Sequence, residues 1–152
     1  MYATIVRMMI RRAIRRVNEG DMGPFLSAYA DDATFVFPGQ NSWAGEHRGK
    51  VEIERFYRRF AQVGLQAEAR EIVVNGWPWN TTVCVHFTDK ATASDGTIVY
   101  ENSGVIFGKI AWGKIKFQHV YEDTEKVAAF DRYLQAHPEM EHPGRVQVAS
   151  EA

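Results

Sequence analysis

The sequence predicts the α+β class: a curved antiparallel sheet wrapped around three N-terminal helices, with a further helix after the sheet. Helical spacing of apolar residues dominates the chain as far as Gly64, and beyond it the pattern alternates with β-branched residues, as strands do. Helices followed by a run of strands indicate α+β rather than a parallel sheet, in which the two alternate. The 152 residues fit one domain, assigned to 1–136, and periodicity is lost in a predicted flexible tail at 137–152.

Three amphipathic helices are predicted before Gly64. The first, Ile5 to Val17, places its apolar residues on one face and five arginines on the rest, and the simplest interpretation of those arginines is a solvated face. Asp21 is expected to cap a second helix, which carries Tyr29 on its buried stripe. The third helix spans Lys50 to Val63.

One strand and one long loop separate the second and third helices. The strand, Ala33 to Phe37, is rich in Thr, Phe and Val, and a cluster of turn residues follows it. The connection from Pro38 to Gly49 is long for a small domain and carries Trp43, His47 and Arg48. Loops of this length often carry function, so these side chains are candidates for ligand contact.

A meander of four antiparallel strands is predicted after the third helix. Asp95-Gly96 is a two-residue hairpin signal, and Ala111-Trp112-Gly113 turns the third of these strands into the fourth. A last helix begins at Asp123 or Thr124, either of which can cap it, and continues through Leu134. The four strands are predicted at Leu65 to Asn75, Asn80 to Ala91, Thr97 to Ile110 and Lys114 to Glu122.

Composition and motifs exclude several classes of function. Eighteen basic residues against 19 acidic ones disfavour nucleic acid, because neutralising phosphates needs a basic excess. No apolar run approaches the roughly 18 residues of a membrane-spanning helix, so no membrane partner is expected. The single cysteine, Cys84, cannot form an internal disulfide and fits a reducing, cytoplasmic location. The five histidines lack metal-ligand spacing and no phosphate loop is present, so we expect neither metal nor cofactor.

Four short strings in a fixed order carry a family resemblance over about Ile5 to Leu134. The sequence resembles the nuclear transport factor 2-like superfamily, with its cystatin-like fold, and within it the SnoaL-like and ketosteroid isomerase-like proteins. The resemblance implies a conical interior and homodimers, but members of this superfamily range from isomerases, cyclases and epoxide hydrolases to transport adaptors. The strings are Asn18-Glu19-Gly20-Asp21, Ala30-Asp31-Asp32-Ala33-Thr34, Arg48-Gly49-Lys50 with Phe56-Tyr57, and Gly113-Lys114-Ile115 with Tyr121-Glu122-Asp123.

The catalytic groups of the ketosteroid isomerases are not retained at the matching positions. Phe37 replaces the carboxylate that shuttles the proton, and Ala13 replaces the tyrosine of the oxyanion hole. Ile106, or Val105 if a residue is inserted, stands in place of the protonated aspartate. The acids of the epoxide hydrolases are likewise incomplete. This loss removes the carboxylate and oxyanion hole on which the isomerisation depends.

The resemblance nevertheless implies a pocket lined by aromatic and amide side chains. Tyr29 and Tyr57 match two wall tyrosines of the family, and Trp43 is expected at the mouth of the cone, where it closes over a ligand or merely packs on a neighbour. The aromatic share of 12% fits such a lined cavity. The expected ligand-binding residues are Tyr29, Phe35, Phe37, Trp43, Tyr57, Phe87, Tyr100 and Gln118.

Three side chains are candidates for catalysis. Asp89 is expected to point inward from the second strand of the meander, and Asn102 is expected to orient a ligand carbonyl or, more simply, to bond the backbone. His119 would be a general base suited to neutral pH if it points inward, but alternation with Gln118 places it outside unless the register slips by one residue.

These observations predict a protein that binds a small hydrophobic molecule, such as a polyketide- or steroid-like ring system, with proton transfer or hydration as its chemistry. The alternative is a non-enzymatic dimeric interaction module that uses the convex face of the sheet. In that alternative the partner contacts are Trp77, Trp79, His119 and Tyr121.

Overall fold

Six strands form one sheet in the computed structural model, which describes residues 1–147. The strand order is β2-β1-β6-β5-β4-β3, and every neighbouring pair is antiparallel except β1 and β6, which are parallel. The predicted α+β class is confirmed. The strands are β1 (Tyr29–Phe37), β2 (Gly45–Arg48), β3 (Gln66–Trp77), β4 (Asn80–Thr92), β5 (Ile98–Ala111) and β6 (Lys114–Glu122).

Four α-helices cover the concave face of the sheet and one of its ends. Their buried residues join those of the sheet in one main hydrophobic core, and a smaller cluster lies beneath the first helix. The helices are α1 (Tyr2–Asn18), α2 (Met22–Leu26), α3 (Gly49–Gln62) and α4 (Thr124–Ala136).

Helix α1 lies along the exposed edge of the sheet, which β3 forms. An edge strand leaves backbone groups unpaired, and α1 satisfies several of them. Arg7 Nε and Arg11 Nη1 donate to carbonyl oxygens of β3 at 3.1 and 3.0 Å. Asn18 exchanges two hydrogen bonds with the backbone of Ala67, at 2.8 and 2.9 Å. Two of the five arginines of this helix therefore anchor it to the sheet, although Arg11 also remains exposed to solvent.

The region between α2 and α3 differs from the prediction. Helix α2 ends at Leu26, and Tyr29 begins β1 instead of continuing the helix, because its backbone pairs with Ile115 of β6. Tyr29 is fully buried in this position. The long loop also contains β2, whose His47 pairs with Phe35 of β1.

Residues 137–147, predicted to begin a flexible tail, pack against the body of the domain. Two 3-10 turns, Pro138–Met140 and Pro143–Arg145, bury Met140 and Val146. Backbone hydrogen bonds to the carbonyls of Gln62 and Gly20 hold this segment in place, which corrects the prediction for these residues. The rest of the predicted tail, 148–152, lies outside the described residues.

Candidate functional site

A cavity of about 590 Å³ lies between the concave face of the sheet and the four helices. Its wall is mostly apolar, and α1, α2, α3, α4 and five of the six strands contribute to it. A pocket of this size and character is typical of small-molecule sites. The structure places all eight side chains expected to bind a ligand on this wall: Tyr29, Phe35, Phe37, Trp43, Tyr57, Phe87, Tyr100 and Gln118.

The cavity reaches the surface at one end and is closed at the other. Lining residues of α1 and of the start of β6 are exposed, among them Met9, Arg12 and Lys114. At the opposite end the lining residues Val127 and Phe130 are buried, because α4 packs across the sheet there. We call these two ends the mouth and the inner end.

Two carboxyl groups and a phenol lie near the inner end. Asp89 points inward from β4, and Glu122 points inward from β6, where it lies opposite Gly104 of β5. A Cβ atom at Gly104 would come within 2.7 Å of the Cβ of Glu122, so glycine leaves the space that the carboxyl side chain needs. Asp89 Oδ1 and Glu122 Oε2 are buried and have no hydrogen-bond partner within residues 1–147. Buried oxygens without a hydrogen-bond partner are rare in proteins, so these two oxygens are candidates for contact with a ligand.

Burial changes the proton affinity of both carboxyls. Loss of solvent raises the pKa of Asp89 to about 7. For Glu122, loss of solvent is again the main cause, the negative charges of Asp89 and Asp123 add to it, and the pKa rises to about 8. With pKa values of about 7 and 8, the pair can supply both a proton donor and a proton acceptor near neutral pH.

Tyr100 completes this polar group. Burial and the charges of Asp89 and Glu122 raise the pKa of its phenol, so it remains a neutral donor, and its hydroxyl partly offsets the rise in the pKa of Glu122. We call Asp89, Tyr100 and Glu122 the carboxyl cluster.

Asn102 supports this cluster and does not line the cavity. Its Nδ2 donates to the hydroxyl of Tyr100 and to the carbonyl of Asp123, both at 3.0 Å, and its Oδ1 accepts from the backbone of Ser103 at 2.9 Å. The amide is therefore occupied, as in the simpler of the two alternatives, in which it bonds the backbone, and it is not free to orient a ligand carbonyl. Its hydrogen bond also holds the hydroxyl of Tyr100.

A second polar pair lies on the wall. The hydroxyl of Tyr29 donates to Oε1 of Gln118 at 2.6 Å. Burial raises the pKa of Tyr57 to about 12, and burial together with Tyr57 raises that of Tyr29, so both phenols remain neutral. They can fix the orientation of a ligand by hydrogen bonds without adding charge.

His119 lies on the outer face of the sheet. Its ring stacks on Tyr121 at a centroid distance of 4.2 Å, and Nδ1 lies 3.1 Å from the hydroxyl of that tyrosine. Gln118 and Val120 line the cavity instead, as strand alternation requires. The structure thus corrects the catalytic role considered for an inward His119.

Trp43 lies at the inner end and not at the mouth. Its ring packs edge-on against Phe56, and the guanidinium of Arg59 lies 4.1 Å from its centroid. The neighbouring Ser42 donates its backbone N–H to Oδ2 of Asp131 in α4 at 2.8 Å, which holds the loop under α4. Trp43 is buried by these contacts, which agrees with the alternative in which it packs on a neighbour and not with closure over a ligand at the mouth.

Glu122 is a carboxyl residue of the cavity that the sequence analysis does not single out. The inward series of Gln118 and Val120 continues to Glu122 two residues later, so alternation within the predicted strand Lys114 to Glu122 is the signal that indicates it. Within residues 1–147 no group of three His, Cys, Asp or Glu side chains is placed to hold a metal ion, and no helix there is long and apolar enough to cross a membrane.

Comparison with known proteins agrees with this architecture. The fold is that of the nuclear transport factor 2-like and cystatin-like proteins. Within that class, residues 10–118 match the model of the SnoaL-like domain, and the chain belongs to this family. No curated protein shows a significant match to the chain.

Several solved structures share the fold at low sequence identity. Bal32a, from a soil-derived mobile gene cassette, is 19% identical with a TM-score of 0.74, and the match covers 87% of this chain and 100% of Bal32a. SalBIII, an epoxide hydrolase/cyclase-like enzyme of pyran ring formation in salinomycin, is 17% identical with a TM-score of 0.65. The match covers 79% of this chain and 92% of SalBIII. TerC, co-crystallised with polyporic acid, is 21% identical with a TM-score of 0.66, covering 84% and 96%.

Proposed function

We propose that the protein binds a small, largely hydrophobic molecule, such as a polyketide- or steroid-like ring system, and moves a proton on it. The observation that carries the proposal is the carboxyl cluster: two buried carboxyls, each with an oxygen that lacks a partner, facing an apolar cavity. Carboxyls poised near neutral pH in such a site are typical of general acids and bases. SalBIII and TerC, which share the fold, are associated with small-molecule chemistry and binding, and this is consistent with the proposal.

The cluster can enolise a ketone without any further group. The ionised carboxylate of Asp89 takes a proton from the carbon next to the carbonyl, and the electron pair of that C–H bond forms the C=C bond. The carbonyl oxygen takes a proton from Glu122, and Tyr100 donates a hydrogen bond to the same oxygen. Reversal of these steps returns the ketone. Hydration would use the same pair, with Asp89 accepting the proton of the attacking water.

Hydrogen–deuterium exchange tests this chemistry directly. The ketone 2-tetralone, a flat apolar probe, is incubated with the protein in D₂O, and NMR follows deuterium incorporation next to its carbonyl. We expect the wild-type chain to accelerate exchange, and Asp89→Asn or Glu122→Gln to lower the enzyme-dependent rate by about 100-fold.

His119→Gln is the matched control, because this side chain lies on the outer face and should leave the exchange rate unchanged. Wild-type exchange no faster than in buffer, or a rate that survives both carboxyl substitutions, would rule out the proposed chemistry.

A second candidate function is an interaction module, working as a cytoplasmic homodimer. Three exposed tryptophans favour it: Trp77 and Trp79 stack with centroids 5.8 Å apart, and Trp112 lies 6.1 Å from Trp79. Multi-angle light scattering tests the dimer, and a chain that remains monomeric at about 100 µM, some hundredfold above a micromolar dissociation constant, would contradict it.

A further inference from the structure

The mouth and the inner end of the cavity differ in charge. Three cationic side chains lie on the wall, and they come from α1 and from the first residue of β6: Arg12, Arg16 and Lys114. The acidic side chains on the wall are Asp89 and Glu122, which belong to the carboxyl cluster. The cavity is therefore basic where it opens and acidic where it ends.

The positive charge at the mouth is only partly neutralised. Arg16 Nη1 pairs with Asp21 at 3.0 Å. Lys114 Nζ donates to the carbonyl of Ser27 at 2.5 Å, and because that partner is uncharged, it does not offset the positive charge. The guanidinium of Arg12 makes no ion pair or hydrogen bond within the described part of the chain, residues 1–147. Two cations, Arg12 and Lys114, thus remain available to a ligand.

The arginines of helix α1 differ in their partners, and this difference decides which of them give the mouth its charge. Its five arginines stand without any acidic residue between Tyr2 and Asn18. Arg7 and Arg11 bind the edge of β3, and Arg16 binds Asp21. Of the remaining two, Arg12 lines both the cavity and a neighbouring surface groove, whereas Arg15 lines only the groove.

From this charge separation we infer that the ligand is an amphipathic anion, an inference that rests on the proposed function. The ligand is an apolar ring system, and its anionic group, such as a carboxylate, lies at the mouth beside Arg12 and Lys114. An anionic group at the inner end would be stripped of water and repelled by Asp89 and Glu122. At the mouth it keeps part of its hydration and gains two cationic neighbours. The reacting end of the ligand is then a neutral oxygen, such as a carbonyl, that faces the carboxyl cluster.

Two matched fluorescent probes test the inference. 1-Pyrenebutanoate and 1-pyrenebutanol share a flat apolar ring and chain and differ in the charge of the head group. Fluorescence titration at pH 8 and low salt should give a dissociation constant about three- to tenfold lower for the anion, the range that one or two exposed ion pairs supply. The preference should shrink in about 0.5 M NaCl, because salt screens exposed charges.

Charge reversal locates the effect. Arg12→Glu combined with Lys114→Glu should remove or invert the preference for the anion while 1-pyrenebutanol still binds, which also shows that the variant is folded. Arg15→Glu changes the charge of the same helix outside the cavity and should leave the ratio of the two dissociation constants nearly unchanged.

The outcomes separate this inference from the proposed function. Equal dissociation constants for the two probes in the wild-type chain would overturn the inference and leave the apolar site intact. A loss of preference in Arg15→Glu as large as in Arg12→Glu would also overturn it, because the effect would then be one of net charge. Failure of both probes to bind would contradict the apolar binding site itself.

Discussion

Glu122 and Asp89 make the stability of the fold depend on pH in an unusual direction. The folded chain holds their protons up to about pH 8 and 7, whereas ordinary glutamate and aspartate release theirs near 4.5 and 3.8. Between these values the folded state binds more protons than the unfolded state, so the free energy of unfolding falls as the pH rises. The full contribution is present below about pH 4 and is lost above about pH 8.

We therefore expect Glu122→Gln to stabilise the protein at alkaline pH. At pH 9 its free energy of unfolding should exceed that of the wild type by on the order of 3 kcal/mol, while at pH 5 the two should be similar. Urea denaturation at the two pH values measures this difference. A wild-type stability that does not decline between pH 5 and pH 9 would contradict the pKa assignment.

Asn102 should matter more for stability than its size suggests. Asn102→Ala leaves the carbonyl of Asp123 and the hydroxyl of Tyr100 without the donor that they share. An unsatisfied buried group costs about 1–3 kcal/mol, so thermal unfolding should occur several degrees lower. Ser103→Ala, on an exposed neighbour, serves as control, and equal unfolding temperatures for both variants would argue against the network.

At the level of single residues, the sequence predicted which side chains line the cavity better than which ones do chemistry. Tyr29 and Tyr57 follow from family positions, and the family resemblance likewise implies the inward direction of Phe87 and Asp89. The sequence indicates that the amide of Asn102 can bond the backbone, but not its partners, because Tyr100 and Asp123 meet it only when β5 and β6 pair and the chain passes on into α4.

Helix α4 closes the inner end of the cavity, and its first turn depends on Asp123. The carboxylate accepts hydrogen bonds from the backbone N–H groups of Glu125 and Lys126 at 3.0 and 3.3 Å. Asp123→Ala should cost about 1 kcal/mol of stability, measured by urea denaturation, because the helix loses its N-cap.

Asp123→Asn provides the matched control, since its side-chain oxygen can still cap the helix. If the alanine and asparagine variants unfold at the same urea concentration, the contribution of the cap is negligible.

Strong local signals explain which elements were predictable. The meander has close to the predicted bounds, because Asp95-Gly96 and Gly113 fix its turns. Strand β2 was not predicted, since Gly45–Arg48 has no alternation of apolar residues and forms only by pairing with β1. The assignment of Tyr29 to a helix failed for the same reason: its partner Ile115 is distant in sequence.

At the scale of the whole molecule, the sheet and the helices enclose the cavity, and a substitution that fills the cavity tests whether a ligand binds there. Ala13→Trp places an indole in the cavity from α1 and should raise the dissociation constant of 1-pyrenebutanol at least about tenfold, a loss of about 1.4 kcal/mol of binding free energy. Stability should change by no more than about 2 kcal/mol, since new apolar contacts offset strain in a large cavity.

Ala129→Trp adds the same ring on an exposed position of α4 and should leave probe binding intact. Undiminished binding in Ala13→Trp would show that the probe binds elsewhere.

At the scale of the whole chain, the family strings were sufficient to predict the cone, because their order and spacing reflect the path of the backbone. The packing of residues 137–147 was not predictable in this way. The hydrogen bonds of this segment reach the carbonyls of Gly20 and Gln62, two residues far apart in sequence. No local sequence pattern predicts such contacts.

The distribution of the four tryptophans gives the protein two separate optical signals. Trp43 is 4% exposed and lines the cavity, whereas Trp77, Trp79 and Trp112 are 67%, 56% and 72% exposed. Aqueous iodide should quench the emission of the exposed three and leave that of Trp43. The unquenched emission then reports on the cavity alone, so entry of a colourless ligand can be followed without any label.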